Sequence, residues 1–256
     1  MAALAVLVPV VPILVALLLP GGSSRADATP TAATTSTAAF TPVAQSAAKR
    51  PHAAAPAGPG ALVGAVRHAT AMRASPGGRQ FAVLRTKTEF GSPTFVLVAR
   101  VQGAWLGVIN TAAGNHHLGW IRSSAVSLSR DAWSLRAHLA RHELVVLHNG
   151  KVVRSFTVAT GSPAAPTPTG RYAVTDRLTT GDPSGPYGCC ILALSAKAPH
   201  HISDWAGGNR IAIHSTPETS SIGRSDSHGC LRLTLADGQW LLAHIPLGTP
   251  TEISSA

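Results

Sequence analysis

Glu143-Leu144-Val145-Val146-Leu147-His148-Asn149-Gly150-Lys151-Val152-Val153-Arg154-Ser155-Phe156-Thr157-Val158 is a pair of β-branched, apolar-rich runs on either side of an Asn-Gly dipeptide. Asn-Gly accepts the positive φ angles of a two-residue type I′ turn, whose twist matches that of paired strands, so the stretch predicts an antiparallel hairpin. Toward the C-terminus, Gly161-Ser162-Pro163 and Thr167-Pro168-Thr169-Gly170 are turn chemistry leading into Arg171-Tyr172-Ala173-Val174. Ile191-Leu192-Ala193-Leu194 and Arg210-Ile211-Ala212-Ile213 are two more strand runs. One helix is predicted near the end, with Thr234 as N-cap, Asp237 three residues on, then Trp240, Leu241, Leu242, Ile245 and a terminating Pro246. Residues 132–256 therefore read as a mainly β domain with one or two short helices.

Toward the N-terminus, residues 61–130 hold short apolar runs broken by turn residues. They are Phe81-Ala82-Val83-Leu84, Phe95-Val96-Leu97-Val98-Ala99, Trp105-Leu106-Gly107-Val108, Gly119-Trp120-Ile121 and Ala125-Val126-Ser127-Leu128. Short strands at this spacing predict a small all-β barrel. The strings Gly103-Ala104-Trp105-Leu106-Gly107-Val108 and Gly119-Trp120-Ile121 resemble the bacterial SH3-like domains that accompany many wall enzymes. His116 and His117, in a loop of that unit, read as a solvated pair. Residues 29–60 are Ala, Thr, Ser and Pro with hardly a large apolar side chain, too little to offset the entropy of ordering, and read as a disordered linker. Residues 1–28 open with an uncharged Ala/Val/Leu run and contain Ala26-Asp27-Ala28, a small-residue cleavage pattern. That is the signature of a signal peptide or membrane anchor, although Arg25, the first basic residue, follows the apolar run instead of preceding it. The expectation is an exported protein of the cell wall or the outer face of the cytoplasmic membrane, touching the membrane only through this segment.

The 256 residues carry a net charge of +10, which favours anionic neighbours. The basic residues are scattered and not interleaved with aromatics, so nucleic acid is set aside in favour of anionic wall polymers or lipid headgroups. There are three cysteines, Cys189, Cys190 and Cys230. An odd number in an exported chain argues against a disulfide framework and for a free thiol. The adjacent Cys189 and Cys190 read as small apolar residues on opposite faces of a strand, since a bond between neighbours is geometrically constrained.

Cys230, in Ser227-His228-Gly229-Cys230, is the candidate nucleophile. Gly229 permits an unusual backbone angle and close substrate approach, and such a turn can aim backbone N–H groups at a carbonyl oxygen. A thiol needs a base to become a thiolate. His228 is tethered two residues away on the same segment, whereas His214 ends a separate strand and can approach the sulfur freely. His214 is therefore the expected base and His228 a supporting or substrate-side group. Ser215 is placed to orient the imidazole through its carbonyl or hydroxyl. Arg232 should share the face of Cys230 and either brace the turn or clamp a substrate carboxylate. Arg210 and Arg224 are expected at the solvated surface. The spacings of zinc sites are absent, so neither a metal nor a cofactor is expected.

Taken in order, Gly161-Ser162-Pro163, Thr167-Pro168-Thr169-Gly170, Leu194-Ser195-Ala196, Trp205-Ala206-Gly207-Gly208, Ile213-His214-Ser215-Thr216, Ser220-Ser221-Ile222-Gly223-Arg224 and Ser227-His228-Gly229-Cys230-Leu231-Arg232-Leu233, with Asp237 after it, resemble the L,D-transpeptidase catalytic domain. The resemblance implies a β-sandwich-like catalytic domain and peptidoglycan stem peptides as donor and acceptor. Cys230 would displace a terminal D-alanine, and an amine of a second stem would resolve the thioester into a cross-link. The family's base maps to His214, and its carbapenem sensitivity carries over if the thiol is accessible. An L,D-carboxypeptidase or endopeptidase, with water as acceptor, shares the first half of this reaction; a non-catalytic wall-binding protein is the third reading. The adjacent Cys189 and Cys190 depart from the family pattern and raise oxidative cross-talk with Cys230.

Overall fold

The computed structural model describes residues 40–45, 58–199 and 208–256 of the chain. Residues 1–39 and 46–57, and with them the predicted export segment and most of the predicted linker, lie outside the described residues, as does Trp205-Ala206-Gly207. Among the described residues, no helix is long and apolar enough to cross a membrane.

The short runs of the N-terminal half build a seven-stranded sheet in the order Gln80–Leu84, Thr70–Arg73, Gly119–Arg122, Trp105–Ile109, Phe95–Gln102, Ala61–Val66, Val126–Asp131, every pair antiparallel. Met72, Val96, Leu106, Val108 and Ile121 fill its core with almost no exposure. Gly119 is needed there because a Cβ would stand 2.3 Å from the Met72 sulfur.

The second sheet has the order Lys151–Thr157, Glu143–His148, Trp133–His138, Pro250–Ser254, Gly170–Thr179, Cys190–Lys197, Arg210–Ser215, Leu231–Leu233. Its founding hairpin forms as the Asn-Gly signal requires. Asn149 and Gly150 take φ of 51° and 74°, and His148 pairs with Lys151. Most pairs are antiparallel. Pro250–Ser254 runs parallel to Trp133–His138, and Arg210–Ser215 parallel to Leu231–Leu233. The inward residues of these strands, among them Leu144, Val146, Tyr172, Leu194, Ile213, Leu231 and Leu233, form one core with Leu241 and Ile245. Each such side chain contributes about 1.5–3 kcal/mol by leaving water.

The helix spans Leu235–His244, and Thr234 caps it by accepting from the Asp237 N–H at 3.2 Å. Asp237 closes the box by accepting from the Thr234 hydroxyl at 2.6 Å, so this acidic residue serves the helix end. The two sheets share side chains. Ala65 and Phe95 of the first join the core of the second, and Thr249 donates to the buried Asp131 at 2.6 Å.

Three expectations are corrected. Thr41–Pro42, inside the predicted linker, pairs antiparallel with Thr179 and Leu178, because the Gly170–Thr179 strand outruns its neighbour Pro250–Ser254 and offers free backbone groups there. Proline is tolerated at such an edge, where its missing N–H leaves no ladder bond unmade. Arg210 is not solvated but 3% exposed; its guanidinium donates to the Leu194 carbonyl, Thr175 and Glu89, and sits 3.5 Å from Asp176. Cys189 and Cys190 are not two unlinked thiols but a disulfide. The Gly185–Gly188 turn just before them releases Cys189 from the strand, which begins only at Cys190, so the two residues need not point to opposite faces.

Candidate active site

The parallel pairing of Arg210–Ser215 with Leu231–Leu233 sets Ile213 opposite Leu231, His214 opposite Arg232 and Ser215 opposite Leu233. Side chains alternate along strands, and cross-strand partners share a face. Ile213, Leu231 and Leu233 go into the main core, so His214 and Arg232 emerge together on the other face. On that face Cys230 clusters with Leu178, Ile191 and Ala212, flanked by Phe40, Phe90 and Tyr187.

The turn carrying Cys230 is held from three directions. The Ser227 hydroxyl donates to the Cys230 carbonyl at 2.6 Å and accepts the Gly229 N–H at 3.1 Å. The Ser162 N–H reaches the Ser227 carbonyl at 2.9 Å. Thr167 accepts the Gly161 N–H at 2.8 Å and donates to the Gly229 carbonyl at 2.9 Å. Gly229 has φ of 111°, and a Cβ on it would meet Ile211 at 2.9 Å. Three motifs scattered over some seventy positions of the chain thus serve one turn.

Cys230 is the free cysteine, 7% exposed, and His214 is 3% exposed. Burial pushes the thiol up to about 11; a backbone hydrogen bond from Ala212 and the charge of Arg232 oppose this without reversing it. Burial likewise lowers His214 to about 4, against the pull of its bond to Ser215. Between those values both groups are neutral. His214 Nδ1 lies 2.8 Å from the Ser215 carbonyl oxygen, which can only accept, so the proton is on Nδ1 and Nε2 keeps its lone pair. A thiol with a neutral imidazole on its own sheet face is suited to nucleophilic attack with general-base assistance.

Ser215 divides its two groups. The carbonyl serves His214, while the hydroxyl accepts the Cys190 N–H at 3.1 Å and lies 3.4 Å from Cys189 Sγ. The helix presses on the same spot, since a Cβ on Gly238 would stand 2.8 Å from the Ser215 Cβ. His228, on the turn, and Arg224 are exposed, whereas Arg232 is half-buried. Among the described residues, no group of three or more His, Cys, Asp and Glu side chains could hold a metal ion.

Two residues of this region were not anticipated. The Tyr187 ring lies 5.0 Å from the His214 ring, edge to face, and burial with the nearby Cys230 raises its phenol to about 12. Phe40 packs at 6.0 Å from Tyr187 and 6.1 Å from Phe90. An aromatic ring inside Gly185-Pro186-Tyr187-Gly188, where turn residues predominate, was the available signal for Tyr187. Phe40 gave none, standing alone in Ala/Thr-rich sequence.

The YkuD family of L,D-transpeptidase catalytic domains matches residues 133–253. A putative L,D-transpeptidase YkuD of Bacillus subtilis is 29% identical over 128 residues, 48% of this chain and 70% of that protein. Its Bacillus licheniformis namesake is 31% identical over 41% of this chain and 54% of its own length. L,D-transpeptidase 1 of Mycobacterium tuberculosis is 29% identical over 46% of this chain and 48% of its own length. The chain thus spans about half of the latter two. Among solved structures, an L,D-transpeptidase from Mycobacterium smegmatis aligns at 20% identity and a TM-score of 0.39, over 62% of this chain and 90% of that one. One from Mycobacterium tuberculosis H37Rv aligns at 22% and 0.39, over 53% and 64%.

Proposed function

We propose that the L,D-transpeptidase catalytic domain occupying residues 133–253 works through Cys230 as nucleophile and His214 as base, cross-linking peptidoglycan stem peptides. The observation that carries the reading is the His214 imidazole, locked by the Ser215 carbonyl on the same sheet face as the free thiol.

The buried thiol is neutral at rest, so deprotonation accompanies attack instead of preceding it. His214 Nε2 takes the thiol proton as the sulfur bonds to the carbonyl carbon that precedes a terminal D-alanine. The tetrahedral intermediate collapses, the C–N bond breaks, and the imidazolium returns the proton to the departing amine. A thioester remains. The side-chain amine of a second stem attacks it, His214 takes that proton, and Cys230 leaves as the thiol with the proton restored. Gly229, with its positive φ, shapes the turn for close approach, and Ser215 holds the base. His228 is exposed on the turn, where it can meet substrate.

The N-terminal sheet, with its Gly-Trp pattern, supports an SH3-like wall-contacting unit, and the net charge of +10 suits anionic wall polymers. Together with the apolar N-terminus, these features support an exported enzyme.

Purified protein given a disaccharide tetrapeptide should release D-alanine and accumulate cross-linked dimers. Intact mass after carbapenem exposure should show one adduct, absent in Cys230→Ala. Shortened stems without dimers would make water the acceptor. Full activity in Cys230→Ala would overturn the reading, and absence of any adduct or product would leave a wall-binding protein.

A further inference from the structure

We infer that Arg232 recognises the free carboxylate of the departing residue, restricting the site to amides one residue from a peptide C-terminus. This rests on the cysteine acyl-transfer reading above and adds the rule by which that site selects its amide.

Register carries the first step. Arg232 stands opposite His214 in the parallel ladder, so both side chains share a face, and Cys230 lies two residues before Arg232 on the adjoining turn. Two residues of extended chain cover about 6–7 Å. The carboxyl carbon of a terminal residue sits about 3–4 Å beyond the scissile carbonyl carbon, three backbone bonds away. An acyl carbon at the Cys230 sulfur therefore leaves that carboxylate within reach of an arginine side chain.

The guanidinium is anchored through Nη1, while Nε is enclosed without a partner. Nη1 donates to the Asp226 carbonyl at 3.2 Å. Nε is buried and has no hydrogen-bond partner among the described residues. Buried donors without partners are rare in folded proteins. The Nε–Nη2 edge is the half of the fork that takes a carboxylate in bidentate fashion, and a carboxylate reaches the enclosed Nε once the groups covering it move aside. A purely bracing role for Arg232, pinning the turn through Asp226, uses Nη1 alone and explains neither the burial nor the vacancy of Nε. The positive charge is also felt at Cys230, His214 and Tyr187, the three groups that line the site.

Specificity follows. A substrate whose scissile amide is followed by further residues, as in a cross-link between stems, brings a neutral amide where the carboxylate belongs. It leaves Arg232 unpaired, which is how sites built around one polar partner reject analogues that lack it.

The test uses the full chain and two donors, disaccharide tetrapeptides ending in D-alanine as the free acid or as the primary amide. Wild type should prefer the acid by about 100-fold in kcat/KM, as expected for losing a charge-assisted bidentate contact at a half-buried site. Arg232→Gln should collapse that ratio to within about threefold by losing activity on the acid alone. Arg232→Lys, which keeps the charge without the fork, should fall between. Equal use of acid and amide by wild type, or an unchanged ratio in Arg232→Gln, overturns the assignment while leaving the acyl-transfer reading intact. Wild-type inactivity on both donors overturns that reading and this one with it. If Arg232→Gln fails to fold, the wild-type ratio and the lysine variant decide.

Discussion

Burial of His214 ties the base of this site to the stability of the whole domain. The imidazole is held neutral at 3% exposure, with proton affinity lowered from the ordinary 6.5 to about 4. The unfolded chain then binds a proton at His214 that the folded chain refuses, so stability falls as pH falls. The sign is definite: this contribution is fully present above pH 6.5 and is lost as pH drops through about 4. At about 1.4 kcal/mol per tenfold change in proton affinity, the loss is about 3 kcal/mol.

Other groups titrate in the same interval. Burial raises the carboxyls of Asp131 and Asp176, which acts in the opposite sense. The measurement is therefore a difference between wild type and His214→Gln, whose amide can still donate to the Ser215 carbonyl but cannot be protonated. Urea unfolding of both at pH 7.5 and pH 4 gives four free energies. Acidification should shift the gap between the two proteins by about 3 kcal/mol in favour of the glutamine variant, with distant carboxyls cancelling to within about 0.5 kcal/mol. A gap that stays constant across that range would refute a buried neutral imidazole and the general-base step built on it.

Phe40→Ala should increase the alkylation rate of Cys230 by a small uncharged reagent several-fold, because Phe40 packs on Tyr187 in the cluster over the thiol; an unchanged rate would remove Phe40 from the cover. Ser215→Ala should cost about 1–2 kcal/mol in thermal unfolding through the lost hydroxyl contacts to Cys190, while carbapenem acylation changes less than about threefold, since the carbonyl remains. Gly229→Ala should lower the acylation rate at least about tenfold, read by intact mass against time, because φ of 111° strains any residue with a Cβ and the added Cβ would also push on the Ile211 side chain at 2.9 Å.

Much of the fold was legible locally. The Asn149-Gly150 hairpin, the Thr234–Asp237 helix start and the paired strands around Trp105 and Trp120 each carry their instruction within a few neighbouring residues. Cys230 and His214 were chosen from residue chemistry, an odd thiol and an ordered set of motifs, and the sheet register sets them on one face. Trp133–His138 and Pro250–Ser254 escaped notice, because their apolar pattern is weak and their strand character comes from the neighbours they pair with.

What the sequence by itself determined is the chemistry on offer: a mainly β chain, at least one free thiol among three cysteines, a histidine on a separate strand, and a glycine able to turn the chain before the nucleophile. What only the tertiary structure decided is how those groups are wired. The Ser215 carbonyl, not its hydroxyl, holds His214; Arg210 is buried between the two sheets; Cys189 and Cys190 are joined; and Thr41–Pro42 closes on the strand bearing Leu178. Each of these rests on partners tens to hundreds of residues apart or on a backbone angle that neighbouring residues leave open. Local sequence sets which donors and acceptors exist, but long-range packing determines which of them meet.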